Sequence, residues 1–194
     1  MSKDLLRGSL LVIAFTVLLG LVYPLVMTGV SQVAFPGKAD GSLIRHDGKV
    51  VGSTLLAGDV RDAPGYFHPR PSVTDYSAQV TFFANRGPNQ AATRDLTRQH
   101  LDAYLKAEQP YSPGLTAAQV PADAATFSAS GVDPDISQAN AAIQARRVAA
   151  VRHLPLARVE QLIRDNTDGR ALGVFGEPGV NVTTLNLALD REAR

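Results

Sequence analysis

The chain has no cysteine and no tryptophan, and its charges nearly cancel, with 19 Lys and Arg against 18 Asp and Glu for a net charge of +1. Without cysteine there is no disulfide, no thiolate metal site and no thiol nucleophile. A net charge this small provides no basic surface for nucleic acid. The missing tryptophan removes one platform on which bases or sugars stack. Catalytic signatures are absent too. There is no Gly-x-Ser-x-Gly elbow, no Gly-x-x-x-x-Gly-Lys-Ser/Thr phosphate loop and no Asp-Lys-Thr-Gly phosphorylation sequence. The four histidines, His46, His68, His100 and His153, are scattered without metal-ligand spacing. By itself the sequence supports an accessory domain and not an enzyme.

Charge is also missing from one long stretch. Gly8 to Gly37 holds no charged side chain, and Leu10 to Val30 is almost wholly apolar. A bilayer's hydrocarbon core needs about 20 such residues as helix. A cleaved signal has a shorter apolar run of about 7–15 residues before a small-x-small site, and Gly29-Val30-Ser31 is a poor match to one. The chain therefore divides into a short tail (1–8), a retained transmembrane helix (9–34) and one soluble domain (35–194). Pro24 lies inside the run and is expected to kink the helix. Lys3 and Arg7 on one flank are balanced by Lys38, Arg45 and Lys49 on the other, so the positive-inside rule does not fix an orientation. Thr16, Gly20 and Pro24 recur at intervals of four and line one side, where a neighbouring helix has room to approach. Small residues are equally common in membrane helices without that role.

The soluble part reads as an α/β or α+β domain, with a hairpin and one or two further strands alternating with four helices. Asp47-Gly48 between Ser42–His46 and Lys49–Leu55 predicts a tight hairpin. Gly65-Tyr66-Phe67-His68-Pro69-Arg70-Pro71-Ser72 is stiff and extended, because two prolines bracket Arg70. Arg70 is either a recognition group for a carboxylate, phosphate or partner, or a structural tie from the loop to the core. Phe82 to Gln90 is a loop. A helix follows from Thr93 or Asp95 to about Glu108, with Leu96, Ala103, Tyr104 and Ala107 on one face. Ala124–Ala129 reads as a strand. Ser137 or Asp135 caps a helix to about His153, with Ile143, Val148 and Val151 inward and Gln144 and Arg147 sharing a face. After Pro155 a further helix buries Leu156, Val159, Leu162 and Ile163. Leu172–Phe175 reads as a short strand, and Asn181 caps a last helix through Leu189.

Four stretches carry a family resemblance. Tyr66-Phe67-His68-Pro69-Arg70-Pro71-Ser72 matches "YFxxRPS", and Ser128 to Ser137 looks like "ASGSGLDPHIS". Gln144 to Ala149 resembles "QVPRVA", with Ala145 and Arg146 where valine and proline are usual. Leu172 to Asp190 is similar to "LGFLGEPRVNVLELNLALD". Behind a single N-terminal helix, these identify the chain as resembling the C subunit of the Kdp-type potassium-transporting ATPase over essentially its whole length.

The resemblance implies an accessory subunit of a bacterial inner-membrane complex that takes up potassium at the expense of ATP. Its partners would be a channel-like potassium-translocating subunit and an ATP-hydrolysing P-type subunit. The C subunit is described as a catalytic chaperone that raises the ATP affinity of the hydrolysing subunit, with its soluble domain on the periplasmic side. No cofactor of its own is implied, since ATP and potassium are handled by the complex. The family's nucleotide-linked glutamine maps to Gln144, with Arg147 retained beside it. The loop usually read "SGGSNLGPTN" keeps Asn85, Gly87 and Pro88, with Phe83, Ala84 and Arg86 around them. Thr16, Gly20, Pro24, Arg70, Glu177 and Asn181 are the candidate partner contacts. Two other readings stand beside this one. One is a direct nucleotide-binding module. The other is a periplasmic cap in which Asp59, Asp62 and Asp75 gather cations for the pore.

Overall fold

In the computed structural model, which describes residues 2–46, 48–77, 79–81, 85–87 and 89–192, the apolar run is one helix from Lys3 to Ala34. Its 32 residues span about 48 Å at 1.5 Å per residue, more than the roughly 30 Å of a bilayer core. It is built from α1 (Ser2–Val17), a π turn (Leu18–Val22) and α2 (Tyr23–Ala34). Pro24 accounts for the π turn. It has no N–H for the Gly20 carbonyl and its ring crowds that group, so the helix widens and the Tyr23 N–H donates to the Leu18 carbonyl instead. The interruption expected at Pro24 thus takes the form of a widened turn. No described side chain of α1 or α2 is buried. The Thr16 and Thr28 hydroxyls donate to the Val12 and Pro24 carbonyls, both at 2.8 Å, so each is satisfied inside the helix.

The chain divides into two compact units, Met1–Ser53 and Thr54–Arg194. The first ends with a short α3 (Pro36–Ala39) and a hairpin of β1 (Leu43–His46) and β2 (Lys49–Ser53), antiparallel with a bulge between Ile44 and Arg45. Gly48 has φ +76°, as a tight hairpin turn requires. Its neighbour Asp47 lies outside the described residues.

Among its described residues, the second unit packs four α-helices around a three-stranded antiparallel sheet of very short strands, in the order β3-β5-β4. These are β3 (Asp135–Ile136), β4 (Thr167–Asp168) and β5 (Gly179–Asn181), with Val180 opposite both Ile136 and Thr167. The helices are α4 (Ala91–Glu108), α5 (Gln138–Arg152), α6 (Leu156–Asp165) and α7 (Val182–Glu192). Phe67, Ile136, Val148, Val159, Val180, Leu185 and Leu189 lie at the centre of the apolar core. The expected class, one apolar helix followed by a domain of helices and small strands, is the one observed.

Several local expectations change. Ala124–Ala129 is not a strand: Ala122–Ala124 is a 3-10 turn, and the Thr126 amide and hydroxyl both donate back to the Ala122 carbonyl. Leu172–Phe175 is a tight turn closed by bonds between Ala171 and Phe175, with Leu172, Gly173 and Gly176 all at positive φ, which no strand tolerates. Its side chains point outward, and Leu172 is 91% exposed. Leu156 is exposed at the start of α6 and Ala103 lies on the outer side of α4, while Ile143 and Val151 are only half-buried. Ser137, not Asp135, caps α5 by accepting from the Asn140 N–H at 3.1 Å. Asn181 caps α7 as expected, its Oδ1 accepting from the Thr184 N–H at 3.0 Å.

Candidate functional site

The centre of the second unit is a segment, residues 64–72, that leaves a turn closed by the Tyr66 N–H on the Ala63 carbonyl and that Pro69 and Pro71 keep from coiling beyond it. It runs between α5 and α7, and among the described residues no strand lies alongside to satisfy its backbone. Two side-chain amides do so instead. Asn186 on α7 accepts the Phe67 N–H at 2.8 Å and donates to the Phe67 carbonyl at 2.9 Å. Gln144 on α5 accepts the His68 N–H at 2.7 Å and donates to the His68 carbonyl at 3.0 Å. Each amide imitates one rung of a β-ladder, on consecutive residues and from the two helices that flank the segment. Between them the Phe67 side chain is fully buried in the core. Tyr66 is held by its hydroxyl, which donates to Asp190 at 2.8 Å, and by the Arg152 guanidinium 4.3 Å above its ring.

One turn beyond Gln144, Arg147 carries a fully buried charge, with its side chain 2% exposed. Its Nε donates to Glu108 Oε1 at 2.8 Å, its Nη1 to the Pro64 and Tyr66 carbonyls, and its Nη2 to Gln144 Oε1 at 2.9 Å. A guanidinium fits this place because its planar fork answers acceptors on three sides. Glu108, equally buried, keeps its Oε2 without a partner among the described residues. Burial pushes its carboxyl up, against the opposing pull of Arg147. The network continues through Asn140, whose Oδ1 accepts from Gln144 and from the Tyr104 hydroxyl and whose Nδ2 donates to Asp123. Burial, with the Glu108 charge nearby, raises the Tyr104 phenol well above its ordinary range. Burial and the charge of Arg147 hold His68 down at about 4. The neutral imidazole donates from Nε2 to the Ala63 carbonyl at 3.2 Å.

Farther along the segment, Arg70 donates to the Phe127 carbonyl at 3.0 Å and to Asp133 at 3.3 Å. These are the contacts that a tie from loop to core requires. Ser72 donates to the Gly131 carbonyl at 2.5 Å and accepts the amides of Thr74 and Tyr76. Gly131 has φ +75°, and a Cβ there would stand 2.9 Å from Thr74 Oγ1.

The structure brings some of the candidate residues together and leaves others apart. Gln144 and Arg147 are bonded to one another inside the network. Asn85 and Gly87 make no hydrogen bond to either among the described residues; Gly87 accepts from the Gln90 amide and the Thr93 hydroxyl, at the entry to α4. Phe83, Ala84 and Pro88 of that loop lie outside the described residues. Asn181 ties β5 and α7 to the Thr54 carbonyl at 2.9 Å. Glu177 is exposed and pairs with Arg170 at 2.8 Å across the base of the Leu172–Phe175 turn. Thr16 and Gly20 share a shallow apolar recess on the N-terminal helix with Leu11, Phe15 and Leu19, and a Cβ at Gly20 would meet nothing within 4 Å. Two of the three aspartates of the cation-gathering reading, Asp59 and Asp75, are not free acids. Arg61 bridges Asp59 at 2.7 Å and Asp75 at 3.2 Å, placing a positive charge between them. Among the described residues no three His, Asp or Glu side chains are placed to hold a metal ion.

Sequence reasoning missed Glu108, Asn140, Asn186 and Tyr104. A signal was present for part of this set. Asn140, Gln144 and Arg147 recur at four and three along α5, beside an apolar row of Ala141, Ala145 and Val148 with the same spacing. Two adjacent rows of that kind mark a helix buried on both.

A family model described as KdpC: K+-transporting ATPase, c chain, matches residues 5–191. The chain is similar along its whole length to potassium-transporting ATPase KdpC subunits. That of Bradyrhizobium diazoefficiens is 43% identical over 100% of this chain and 99% of its own. That of Mycobacterium tuberculosis is 44% identical over 98% of this chain and all of its own. That of Sorangium cellulosum is 47% identical over 98% of both.

Proposed function

This chain belongs to the KdpC family, the c chains of K+-transporting ATPases, and from that premise we propose an accessory subunit that works by packing and coupling. The helix Lys3–Ala34 spans the bacterial inner membrane once and lays its Thr16/Gly20 side on another subunit. Residues 54–194 lie on the periplasmic side beside the potassium entrance. The partners are the channel-like potassium-translocating subunit and the ATP-hydrolysing P-type subunit. The exposed Leu172–Phe175 turn, with Glu177 at its base, faces one of them. The subunit raises the ATP affinity of the hydrolysing subunit without touching ATP. ATP on the opposite side of the membrane is reached only as a coupling free energy carried through the spanning segments.

The observation behind this reading is the full commitment of Gln144. All four hydrogen bonds of its amide go to His68, Asn140 and Arg147. A nucleotide in contact with it would have to displace the clamp on residues 64–72. The side of the membrane is the test. Gln99, exposed on α4, is replaced by cysteine in this chain that has none, and intact cells are treated with an impermeant thiol reagent. Labelling from outside is the expected result. Protection until lysis would put residues 54–194 in the cytoplasm and restore direct nucleotide contact as the better reading.

A further inference from the structure

On the outer side of α5, away from the clamp, a cavity of about 300 Å³ opens between the helix and residues 112–119. That volume lies at the small end of ligand pockets and suits a small group rather than a whole nucleotide. What distinguishes it is the balance of donors and acceptors. Arg146 lines it and, among the described residues, pairs with no carboxylate and donates to no acceptor. Ser112 also lines it, only 9% exposed, and its Oγ has no hydrogen-bond partner among the described residues. A buried hydroxyl without a partner is uncommon and calls for a reason. Gln119 uses its Oε1 on the Thr116 amide and hydroxyl, which leaves its amide N–H groups free. Among the described residues, the Gly114 N–H, in a turn with φ +86°, donates to no carbonyl. Among the described residues no acidic side chain lines the cavity, and Glu108, one turn back from Ser112, is paired with Arg147.

We propose that this cavity binds a phosphate-type oxyanion, with Arg146 as the charged anchor and Ser112, Gln119 and Gly114 as neutral donors. A guanidinium beside several undirected N–H and O–H groups, with no competing carboxylate, is the chemistry that recognises phosphate oxygens. Both a free phosphate and the phosphate of a lipid headgroup present those oxygens. The site is this chain's own feature to the extent that Arg146 stands where the family stretch quoted above has proline.

The test uses the full chain in neutral detergent micelles, titrated with inorganic phosphate while the Gly114 amide signal is followed by NMR. A saturable displacement is expected. Arg146→Gln, at an exposed position that the fold does not need, weakens it by about tenfold or more; Ser112→Ala weakens it by a smaller factor. The same signal is then read without phosphate in phosphatidylcholine nanodiscs with and without phosphatidylglycerol. A displacement caused by phosphatidylglycerol assigns the lipid headgroup as the source, and a response to inorganic phosphate alone assigns a soluble anion. Absence of saturable displacement under both conditions overturns the proposal, as does an Arg146→Gln chain that responds like the wild type.

Discussion

The N-terminal helix and α5 are inversions of one another. The first turns a continuous apolar surface outward and buries none of its described residues, while its two threonine hydroxyls are satisfied within the helix. The second buries an arginine, a glutamine and an asparagine and satisfies them with other elements. A helix whose threonine hydroxyls bond within it and whose apolar side chains are exposed is suited to an apolar solvent. A helix with its polar groups inside needs particular partners at particular places. One helix therefore depends on its surroundings and the other on the fold.

The variant expected to break this contrast most severely is Arg147→Ala. It leaves Glu108 buried without its counter-ion and the Pro64 and Tyr66 carbonyls unpaired, and should cost about 3–5 kcal/mol. Denaturant unfolding of the full chain in micelles measures it. Adding Glu108→Leu should recover part of the loss but not all, since the two carbonyls stay unpaired. Full recovery would mean that the guanidinium does not hold the extended segment.

Two glycines sharpen the comparison. At Gly131 an alanine meets both a left-handed backbone and the Thr74 side chain, so Gly131→Ala should destabilise by roughly 2–3 kcal/mol. Gly20, on the outward-facing helix, supplies the opposite case below.

Acid provides a third test. Burial keeps His68 neutral in the fold, with its pKa depressed to about 4 from 6.5. Between those values the unfolded chain binds the proton and the folded chain does not. Stability is therefore whole above pH 6.5 and declines as pH falls toward 4, by about 1–2 kcal/mol at roughly pH 5. In His68→Gln, whose side chain does not titrate, the slope over that window should flatten. An unchanged slope would place the acid sensitivity elsewhere.

The smallest effect on folding belongs to Gly20→Leu. Nothing lies within 4 Å of its Cβ direction, so the isolated chain should unfold as before, within about 0.5 kcal/mol. The loss should appear in assembly, as weaker copurification with the other subunits of the ATPase. Normal copurification would remove the Thr16/Gly20 side from the interface.

What was legible in the sequence follows from one-dimensional physics. The apolar run declared its helix because length and composition alone decide that a segment is apolar enough to cross a bilayer. Val159, Leu162 and Ile163 on α6, Asn181 as a cap, Ser137 as one of two candidate caps, and glycine in the β1–β2 turn were readable because spacing, end chemistry and turn chemistry are local. The Leu172–Phe175 turn misled because apolar, β-prone residues resemble a strand, whereas the bonds joining Ala171 to Phe175 turn the chain back on itself. Only the tertiary structure decided the rest. Gln144 and His68 are 76 residues apart, and Asn186 and Phe67 are 119 apart. Whether a glutamine on a helix faces water, a ligand or another segment's backbone depends on what packs against it, and no local pattern contains that information. The sequence alone determined that one helix exposes its apolar side chains. The fold decided that the four family-like stretches meet along residues 64–72, because a backbone with no neighbouring strand had to find its hydrogen bonds in distant side chains.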